Sequence, residues 1–231
     1  MLLEMSAVSI IGGFICLDRS CLQLMVSRPI VIAPLTGLFL GDIVTGLTIG
    51  AFTELLWLDK PQIGIYVPPN DSLIAVAMVS SLLLSGATVN EHRQEATVFA
   101  FLALMPLGLL TKIIDSALIE ANEKLSATAL DAGRAGDMDK IKQAHFRAIG
   151  RSLLVNIVFL IVAITAGLTI IRFLFPLLPD QTINALKLMY HLIPAVLIAV
   201  ALNTIKLKKM VPIFCALFLA ALMIVEILNG F

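Results

Sequence analysis

Three carboxylates stand in otherwise apolar stretches of this sequence: Asp42, Glu54 and Asp71. A charged side chain at the centre of a membrane helix costs about 2.5–3.5 kcal/mol on insertion scales, so such a residue suggests a functional site. The alternative is a carboxylate that caps a helix end at the membrane interface. Both interpretations stay open for Asp42, which follows Gly41, and for Glu54, which precedes Leu55.

Amide and carboxylate side chains also occur in a proline-rich stretch, residues 59–72. Its three prolines prevent a regular helix, which leaves two interpretations. The stretch is either an ordinary loop outside the membrane or an extended segment that dips into the protein. In the second case Gln62, Asn70 and Asp71 would face a substrate. Such groups suit a sugar, because sugar hydroxyls both donate and accept hydrogen bonds.

Two aromatic residues accompany this stretch, Trp57 and Tyr66. Either side chain could pack against the apolar face of a sugar ring. Aromatic residues are also enriched at membrane–water interfaces, where their rings sit at the level of the lipid headgroups. Both uses call for the same residue types, so the sequence alone does not separate them.

The sequence carries no motif typical of catalysis. It contains no His-Glu-x-x-His zinc site, no Gly-x-Ser-x-Gly nucleophile elbow and no Walker loop for phosphate. The cysteines at positions 16, 21 and 215 lack the spacing of a metal or redox motif, and we expect them to be small apolar fillers. We therefore predict no catalytic residue, no metal site and no cofactor in this chain.

The composition indicates an integral membrane protein. Of 231 residues, 59% are hydrophobic and 14% are charged, and the mean hydropathy is +1.01. Soluble domains contain about 45–50% apolar and about 25% charged residues. These values exclude a soluble enzyme and a secreted disulfide scaffold. The 16 basic and 16 acidic residues cancel, so no net charge attracts nucleic acid.

The charged residues concentrate in one segment, residues 120–151, which holds 11 of the 32. We predict that this segment is a helical aqueous connector, with Asp137 as an N-cap of its second half. Its Lys and Arg residues place it on the cytoplasmic side. Three apolar stretches that follow it are predicted to cross the bilayer: Leu153–Ile171, Leu188–Ile205 and Val211–Val225.

The apolar stretches of the first 70 residues are only 11 to 13 residues long: Met5–Leu17, Pro29–Gly41 and Ile43–Thr53. Such lengths are typical of re-entrant or broken helices, which lipid tolerates only where protein buries them or where they line a cavity. Between them and the connector, Ser72–Asn90 is predicted to span and Thr97–Thr111 to form a further apolar helix. We predict an all-α polytopic membrane protein with several transmembrane helices and with re-entrant or broken helices in its N-terminal third.

Glycines and acids recur at fixed spacing between Arg28 and Leu58. They are Gly37, Gly41, Asp42, Gly46, Gly50 and Glu54. This pattern resembles the signature of the membrane IIC subunit of the mannose/fructose/sorbose class of the bacterial phosphotransferase system (PTS). The residues Leu17–Arg19 and the pair Arg28-Pro29 are similar to the family's preceding segment, and Ile63-Gly64 resembles its next loop.

Several positions depart from the family pattern. The second glycine of a glycine pair is Ala51, and the asparagine before Ile-Gly is Gln62. A Pro-Asp pair reads Pro69-Asn70-Asp71, so the acid is displaced by one position or replaced by Asn70. These changes leave open which sugar is bound and whether the chain transports at all.

The resemblance implies one membrane domain over residues 1–231, with signature-bearing helices in 1–119, the connector in 120–151 and transmembrane helices in 152–231. It implies a multi-pass permease subunit of the bacterial inner membrane, paired with a homologous IID membrane subunit in a homo-oligomer of such pairs. Soluble IIA and IIB proteins would supply phosphoryl groups for the translocated hexose. The phosphorylated histidines lie on those partners in this family, so the chain itself is not expected to be an enzyme.

Within this framework the candidate site residues fall into two groups. The predicted sugar-binding residues are Glu54, Gln62, Asn70 and Asp71. The residues predicted to be structural are Gly37, Gly41, Asp42, Gly46 and Gly50. Two other functions remain compatible with the sequence. One is a regulatory membrane protein derived from a permease, and the other is a proton-coupled secondary transporter in which Asp42 or Glu54 relays a proton.

Overall fold

The computed structural model describes residues 1–58, 67–86, 89–204, 212–213, 215–220 and 223. Secondary structure in these residues is helical, which confirms the predicted fold class. The helices are α1 (Leu2–Cys16), α2 (Pro29–Phe39), α3 (Ile43–Trp57), α4 (Asp71–Ser85), α5 (Arg93–Leu104), α6 (Leu107–Arg134), α7 (Met138–Leu174) and α8 (Asp180–Thr204). Single 3₁₀ turns occupy Leu17–Arg19, Asn90–His92 and Phe175–Leu177.

Two helical stretches in the described residues are long and apolar enough to cross a membrane. They are Met138–Leu177, which contains α7, and Asp180–Leu202, which lies within α8. The predicted span Leu153–Ile171 falls on the first stretch and residues 188–202 of the predicted span Leu188–Ile205 fall on the second. Ile205 and most of Val211–Val225 lie outside the described residues.

The predicted apolar helix Thr97–Thr111 is bent rather than straight. Helices α5 and α6 meet at an angle of 42°, and only the two together are long and apolar enough to span a membrane. The bend lies at Met105 and Pro106, between the two helices. Proline has no backbone N–H to donate and its ring crowds the preceding turn, so the helical ladder is interrupted at this point.

The predicted span Ser72–Asn90 is shorter than expected. Helix α4 ends at Ser85, because Gly86 adopts a φ of +68°, a left-handed conformation that favours glycine and stops a helix. The resulting helix has 15 residues, fewer than the roughly 20 that a bilayer requires. Helices α2, α3 and α4 are all short and apolar, which agrees with broken rather than continuous crossings in this region.

Residues 120–151 form a helical hairpin from the end of α6 and the start of α7, as predicted for the connector. Gly136 makes the turn with a φ of +72°. Asp137 caps α7, since its carboxylate accepts a hydrogen bond from the Lys140 backbone N–H at 3.1 Å. The Lys140 side chain lies 3.0 Å from the same carboxylate and lowers the pKa of Asp137 below its usual value.

Helices α2 and α3 form the most extensive helix pair in the fold, and their backbones touch at glycines. A Cβ atom on Gly46 would lie 2.5 Å from the Ala33 carbonyl oxygen, and one on Gly50 would lie 2.6 Å from the Pro29 carbonyl oxygen. Real Cβ atoms do not approach backbone this closely, so only glycine permits this packing.

The other two signature glycines shape the turn between α2 and α3. A Cβ on Gly37 would collide with the Asp42 carbonyl oxygen, and Gly41 turns the chain with a φ of +91°. The signature therefore builds a compact helical hairpin in which the start of α2 lies beside the end of α3.

Helix α4 is the centre of the core, since all but two of its residues are buried and it packs against α1, α2, α3, α5, α6 and α7. Asn156 Nδ2 of α7 donates to the Gly13 carbonyl of α1 at 3.4 Å, and Arg172 of α7 donates to the Leu84 carbonyl of α4 at 2.7 Å. The helical rise separates Asn156 from Arg172 by about 24 Å along α7, close to the thickness of a hydrocarbon core. We call the Asn156 layer the connector end of the fold and the Arg172 layer the far end.

The glycine contacts predict a steep dependence of stability on residue size at Gly46. Gly46→Ala should lower the free energy of unfolding by about 1–3 kcal/mol, because the new methyl group meets backbone atoms that cannot move aside. Thermal unfolding of the purified protein in detergent measures the change. Gly150→Ala is the control, since a Cβ at this exposed position of α7 meets nothing within 4 Å. Equal unfolding midpoints for the two variants would contradict the packing described here.

Candidate functional site

An ion pair between Arg19 and Asp71 lies at the connector end, where the 3₁₀ turn after α1 meets the start of α4. Arg19 Nη1 donates to Asp71 Oδ1 at 2.8 Å, and the two side chains are 17% and 22% exposed. Asp71 is the first residue of α4, and its Oδ1 also accepts from the Ser72 backbone N–H at 3.0 Å. A carboxylate at this position interacts favourably with the positive end of the helix dipole.

Asn70, the residue before this pair, is buried and connects α4 to α6. Its side-chain oxygen caps α4 by accepting from the Leu73 backbone N–H at 3.3 Å. Its side-chain nitrogen donates to Asp115 Oδ2 at 3.2 Å, and its backbone N–H donates to Thr111 Oγ1 at 2.9 Å. Every polar group of the Asn70 side chain therefore has a partner in a region surrounded by apolar helices.

The loop between α1 and α2 folds around the buried carboxylate of Asp18. Asp18 Oδ1 accepts from the Leu24 backbone N–H at 2.8 Å, and Oδ2 accepts from the Ser27 backbone N–H and hydroxyl at 3.3 Å each. This wrapping holds Gln23 and Met25 at φ angles of 55° and 63°, which residues with a side chain rarely adopt. Such strained backbone persists only where surrounding contacts impose it, and it concentrates at functional sites.

A second ion pair joins the two helices of the glycine hairpin. Arg28, just before α2, donates to Glu54 Oε1 of α3 at 2.5 Å. The Glu54 side chain is 15% exposed, and its other oxygen lies 3.5 Å from the Ile30 backbone nitrogen in the first turn of α2. The predicted membrane acid Glu54 is thus neutralised by a partner that the glycine packing brings beside it.

Two polar cavities flank the Arg19–Asp71 pair. The loop cavity, of about 380 Å³, is lined by the Asp18 loop, by Trp57 and by Asp71. The connector cavity, of about 270 Å³, is lined by Asn70, Asp115 and Asn156 among others. Arg19 lines both cavities. Volumes of roughly 300–1,000 Å³ are usual for small-molecule sites, so either space is near the size that a monosaccharide needs.

The predicted sugar-binding residues are distributed around these cavities. Asp71 lines the loop cavity and Asn70 lines the connector cavity. Glu54 is not among the residues that line either cavity, and it pairs with Arg28, which is part of the loop-cavity wall. Gln62 lies outside the described residues. Their role in binding a sugar stays a prediction.

Asp42 lies at the other end of α3, about 18 Å from Glu54 by the helical rise. It is the N-cap of α3, and its carboxylate accepts from the backbone N–H groups of Val44 and Thr45 at 3.1 and 3.0 Å. It also forms an ion pair with Arg93 at the start of α5. Of the two interpretations left open for Asp42, the helix cap is the one that the structure displays.

Sequence reasoning missed the parts played by Asp18, Arg19 and Asp115. The first two form part of the short segment noted before the signature, but nothing in their spacing indicates a loop wrapped around one carboxylate. Asp115 lies three residues after Lys112, a spacing that suggests pairing within α6. In the structure Asp115 accepts a hydrogen bond from Asn70, the N-cap residue of α4. The sequence feature that could have indicated Asp115 is that it is a carboxylate inside an apolar stretch.

The comparison with known families bears on this arrangement. A family model described as the PTS system sorbose-specific IIC component matches residues 2–229 of the chain. The chain belongs to this family. It is therefore a membrane protein of the PTS IIC permease class, as its sequence signature predicts.

Similar proteins of known description share this class. The chain is 26% identical to a PTS system mannose-specific EIIC component of Escherichia coli strain K12, over 84% of this chain and 70% of that protein. It is 26% identical to a fructose permease IIC component of Bacillus subtilis, over 84% and 69% of the two chains. It is 25% identical to a PTS system sorbose-specific EIIC component of Klebsiella pneumoniae, over 94% and 81%.

Solved structures share the fold. One, described only as a membrane protein, superposes with a TM-score of 0.72 at 19% identity, covering 100% of this chain and 93% of that one. A second is a chain from the cryo-EM structure of the mannose transporter ManYZ with microcin E492, with a TM-score of 0.61 at 19% identity and coverage of 100% and 92%. At this identity the likeness concerns the fold.

The Asn70 contacts predict that this residue holds the α4 start in place. Asn70→Ala should lower the free energy of unfolding by about 1–2 kcal/mol, because it removes an N-cap and the partner of Asp115. Asn70→Ser retains a capping oxygen and should lose less. Thermal unfolding of the two variants beside the unmodified protein provides the measurement. An Asn70→Ala protein as stable as the original would refute the capping role.

Proposed function

We propose that this IIC chain binds a hexose in the loop cavity and carries it across the bacterial inner membrane, in a complex that phosphorylates the sugar as it arrives. The observation that carries the proposal is the Arg19–Asp71 ion pair on the wall of a polar cavity inside an apolar helical domain. Ionisable groups in such surroundings are costly and mark the path of a polar substrate.

The chemistry of the loop cavity supports a sugar as the substrate. Asp71 Oδ1 accepts from Arg19 and Ser72, while among the described residues no hydrogen bond reaches its Oδ2. A sugar hydroxyl can donate to this oxygen and accept from a guanidinium N–H at the same time. The indole of Trp57 lines the same space and supplies an apolar wall for the C–H face of a sugar ring.

Membership of the IIC family supports a division of labour with phosphorylating partners. Phosphoryl groups would come from soluble IIA and IIB proteins, and this chain would bind and move the sugar without acting as an enzyme. Both cavities lie at the end of the fold from which the connector hairpin extends, and the basic residues of that hairpin favour the cytoplasm.

We also propose that the chain pairs with a IID membrane subunit and that such pairs form a homo-oligomer. The similar ManYZ structure is a complex by its description. Large apolar side chains on α1 and α3 are exposed, with Leu3 at 80%, Phe14 at 67% and Val44 at 67%. A multi-pass protein of the inner membrane would cover these side chains with lipid or with its partner subunit.

Hexose uptake by cells tests the proposed site. Asp71→Asn should lower phosphorylation-coupled uptake about tenfold or more, because it weakens charge-assisted hydrogen bonds worth about 1.5–3 kcal/mol each. Asp139→Asn, in the connector hairpin, is the matched control and should transport normally. Radiolabelled mannose, fructose and sorbose are supplied one at a time, and the amount of protein in the membrane is measured for each variant.

The same experiment separates the other functions. Uptake unchanged by Asp71→Asn would remove this residue from the site. Uptake that survives loss of the phosphoryl donors but stops when the proton gradient is dissipated would instead indicate a proton-coupled transporter. No uptake of any of these sugars by the unmodified protein, together with its IID, IIA and IIB partners, would favour a regulatory protein.

Fluorescence offers a direct measurement of binding, because Trp57 is the single tryptophan of the chain. Titration of the purified protein with a hexose should change the tryptophan emission and saturate with sugar concentration. In Asp71→Asn the titration should shift to about tenfold higher concentration. A saturable change that is identical in the two proteins would show that the sugar binds near Trp57 without Asp71.

A further inference from the structure

A third polar cavity lies at the far end of the fold and takes no part in the site described above. Its volume is about 320 Å³, and three helices contribute to its wall. Its polar lining includes Asp42 and Thr48 of α3, Arg93, Gln94 and Thr97 of α5, and Tyr190 of α8. We call it the far cavity.

The far cavity is organised by the ion pair between Asp42 and Arg93. Asp42 Oδ2 accepts from Arg93 and from the Thr45 hydroxyl, so the start of α3 is joined to the start of α5. Tyr190, which also lines the cavity, packs its ring against Phe52, with ring centroids 6.4 Å apart. The carboxylate, the guanidinium and the aromatic ring are therefore held by three different helices.

The lining presents the hydrogen-bonding groups that a sugar uses. The guanidinium of Arg93 donates and the Gln94 amide both donates and accepts. The hydroxyls of Thr48 and Thr97 donate to the backbone carbonyls of Val44 and Arg93, so their oxygens remain able to accept a bond. This combination of an acid, a base, an amide and an aromatic ring parallels the wall of the loop cavity, although no residue is shared.

The far cavity and the loop cavity lie at opposite ends of the fold. Asp42 and Glu54 lie at opposite ends of α3, about 18 Å apart, so the two cavities occupy opposite ends of one helix pair. The connector hairpin extends from the end that holds the loop cavity, and its basic residues place that end in the cytoplasm. The same assignment puts the far cavity on the outer side of the membrane.

We propose that the far cavity is an outer sugar site, where a hexose binds from the external medium before it reaches the loop cavity. This inference rests on the proposed function, because the two sites would take the same sugar. Arg93, which Asp42 holds in place, donates to the sugar hydroxyls, Gln94 completes the polar wall, and Tyr190 covers the apolar face of the ring. A segment of the partner subunit is the competing occupant of this cavity.

Protection of an introduced cysteine from alkylation tests the outer site. Thr48→Cys is made in a background with Cys21→Ser and Cys215→Ser, since Cys16 is buried. Intact cells are treated with a membrane-impermeant maleimide, with and without mannose, fructose or sorbose. At a sugar concentration about ten times the Kd, occupancy leaves about a tenth of the sites free, so labelling should slow about tenfold.

Two further cysteines and one cavity variant make the result specific. Thr182→Cys, near the start of α8 at the far end, should be labelled without protection because it does not line the far cavity. Thr128→Cys, in the connector hairpin, should stay unlabelled in intact cells and become labelled after lysis. Gln94→Ala combined with Thr48→Cys should lose most of the protection while labelling persists.

The outcomes separate this inference from the proposed function when Trp57 fluorescence of the purified protein is measured in parallel. A Trp57 response with no protection at position 48 overturns the outer site alone. Protection at position 48 with no Trp57 response supports the outer site and contradicts binding in the loop cavity. Absence of both signals contradicts both proposals. The outer site is also overturned if position 48 is labelled only after lysis, or if the partner subunit blocks its labelling whether or not sugar is present.

Discussion

The contact between the backbones of α2 and α3 is the constraint on which the candidate site depends. Gly46 and Gly50 let the two helices approach until carbonyl oxygens occupy the space that a Cβ would need. This approach places the end of α3 beside the start of α2, so that Arg28 meets Glu54 at 2.5 Å. Larger side chains at the glycines would separate the helices and leave a carboxylate without its partner in an apolar region, which is costly.

Several carboxylates of this domain are paired with arginine or amide side chains. At the connector end, Asp71 pairs with Arg19, Glu54 pairs with Arg28, and Asp115 receives the Asn70 amide. Asp71 stands at the start of α4 and the Glu54 carboxylate lies beside the first turn of α2, because helix starts leave N–H groups that a carboxylate can accept from. The broken helices therefore supply both the polar groups and the space between them, and that space is what we assign to the sugar. A continuous helix would have buried the same backbone groups in its own ladder.

Sequence patterns predicted the helical fold, the short helices of the N-terminal third and the Asp137 cap, because apolar run lengths and capping residues report local structure directly. They did not predict the end of α4 at Ser85, which depends on the conformation of Gly86, or the bend at Pro106, which the apolar composition of residues 97–111 conceals. Some of the residues around the candidate cavities could be singled out from the sequence. Asn70, Asp71 and Glu54 could be found because acids and amides are rare in apolar stretches. Arg19 could not, because its partner Asp71 lies 52 residues away and only the packing of α1 against α4 and α7 brings the two together. Asp18 could not either, because its partners Leu24 and Ser27 lie in a nearby loop whose sequence carries no recognisable motif.

The proposed sugar site lies beside the Arg19–Asp71 pair, in the space that the broken helices leave at the connector end. A cryo-EM structure of the protein with its IID partner and a bound hexose would locate the sugar. We expect density for one sugar ring within hydrogen-bonding distance of the Asp71 carboxylate and in contact with the Trp57 indole. Sugar density confined to a location that neither residue reaches, with the Arg19–Asp71 pair unchanged and its cavity filled by side chains, would contradict it.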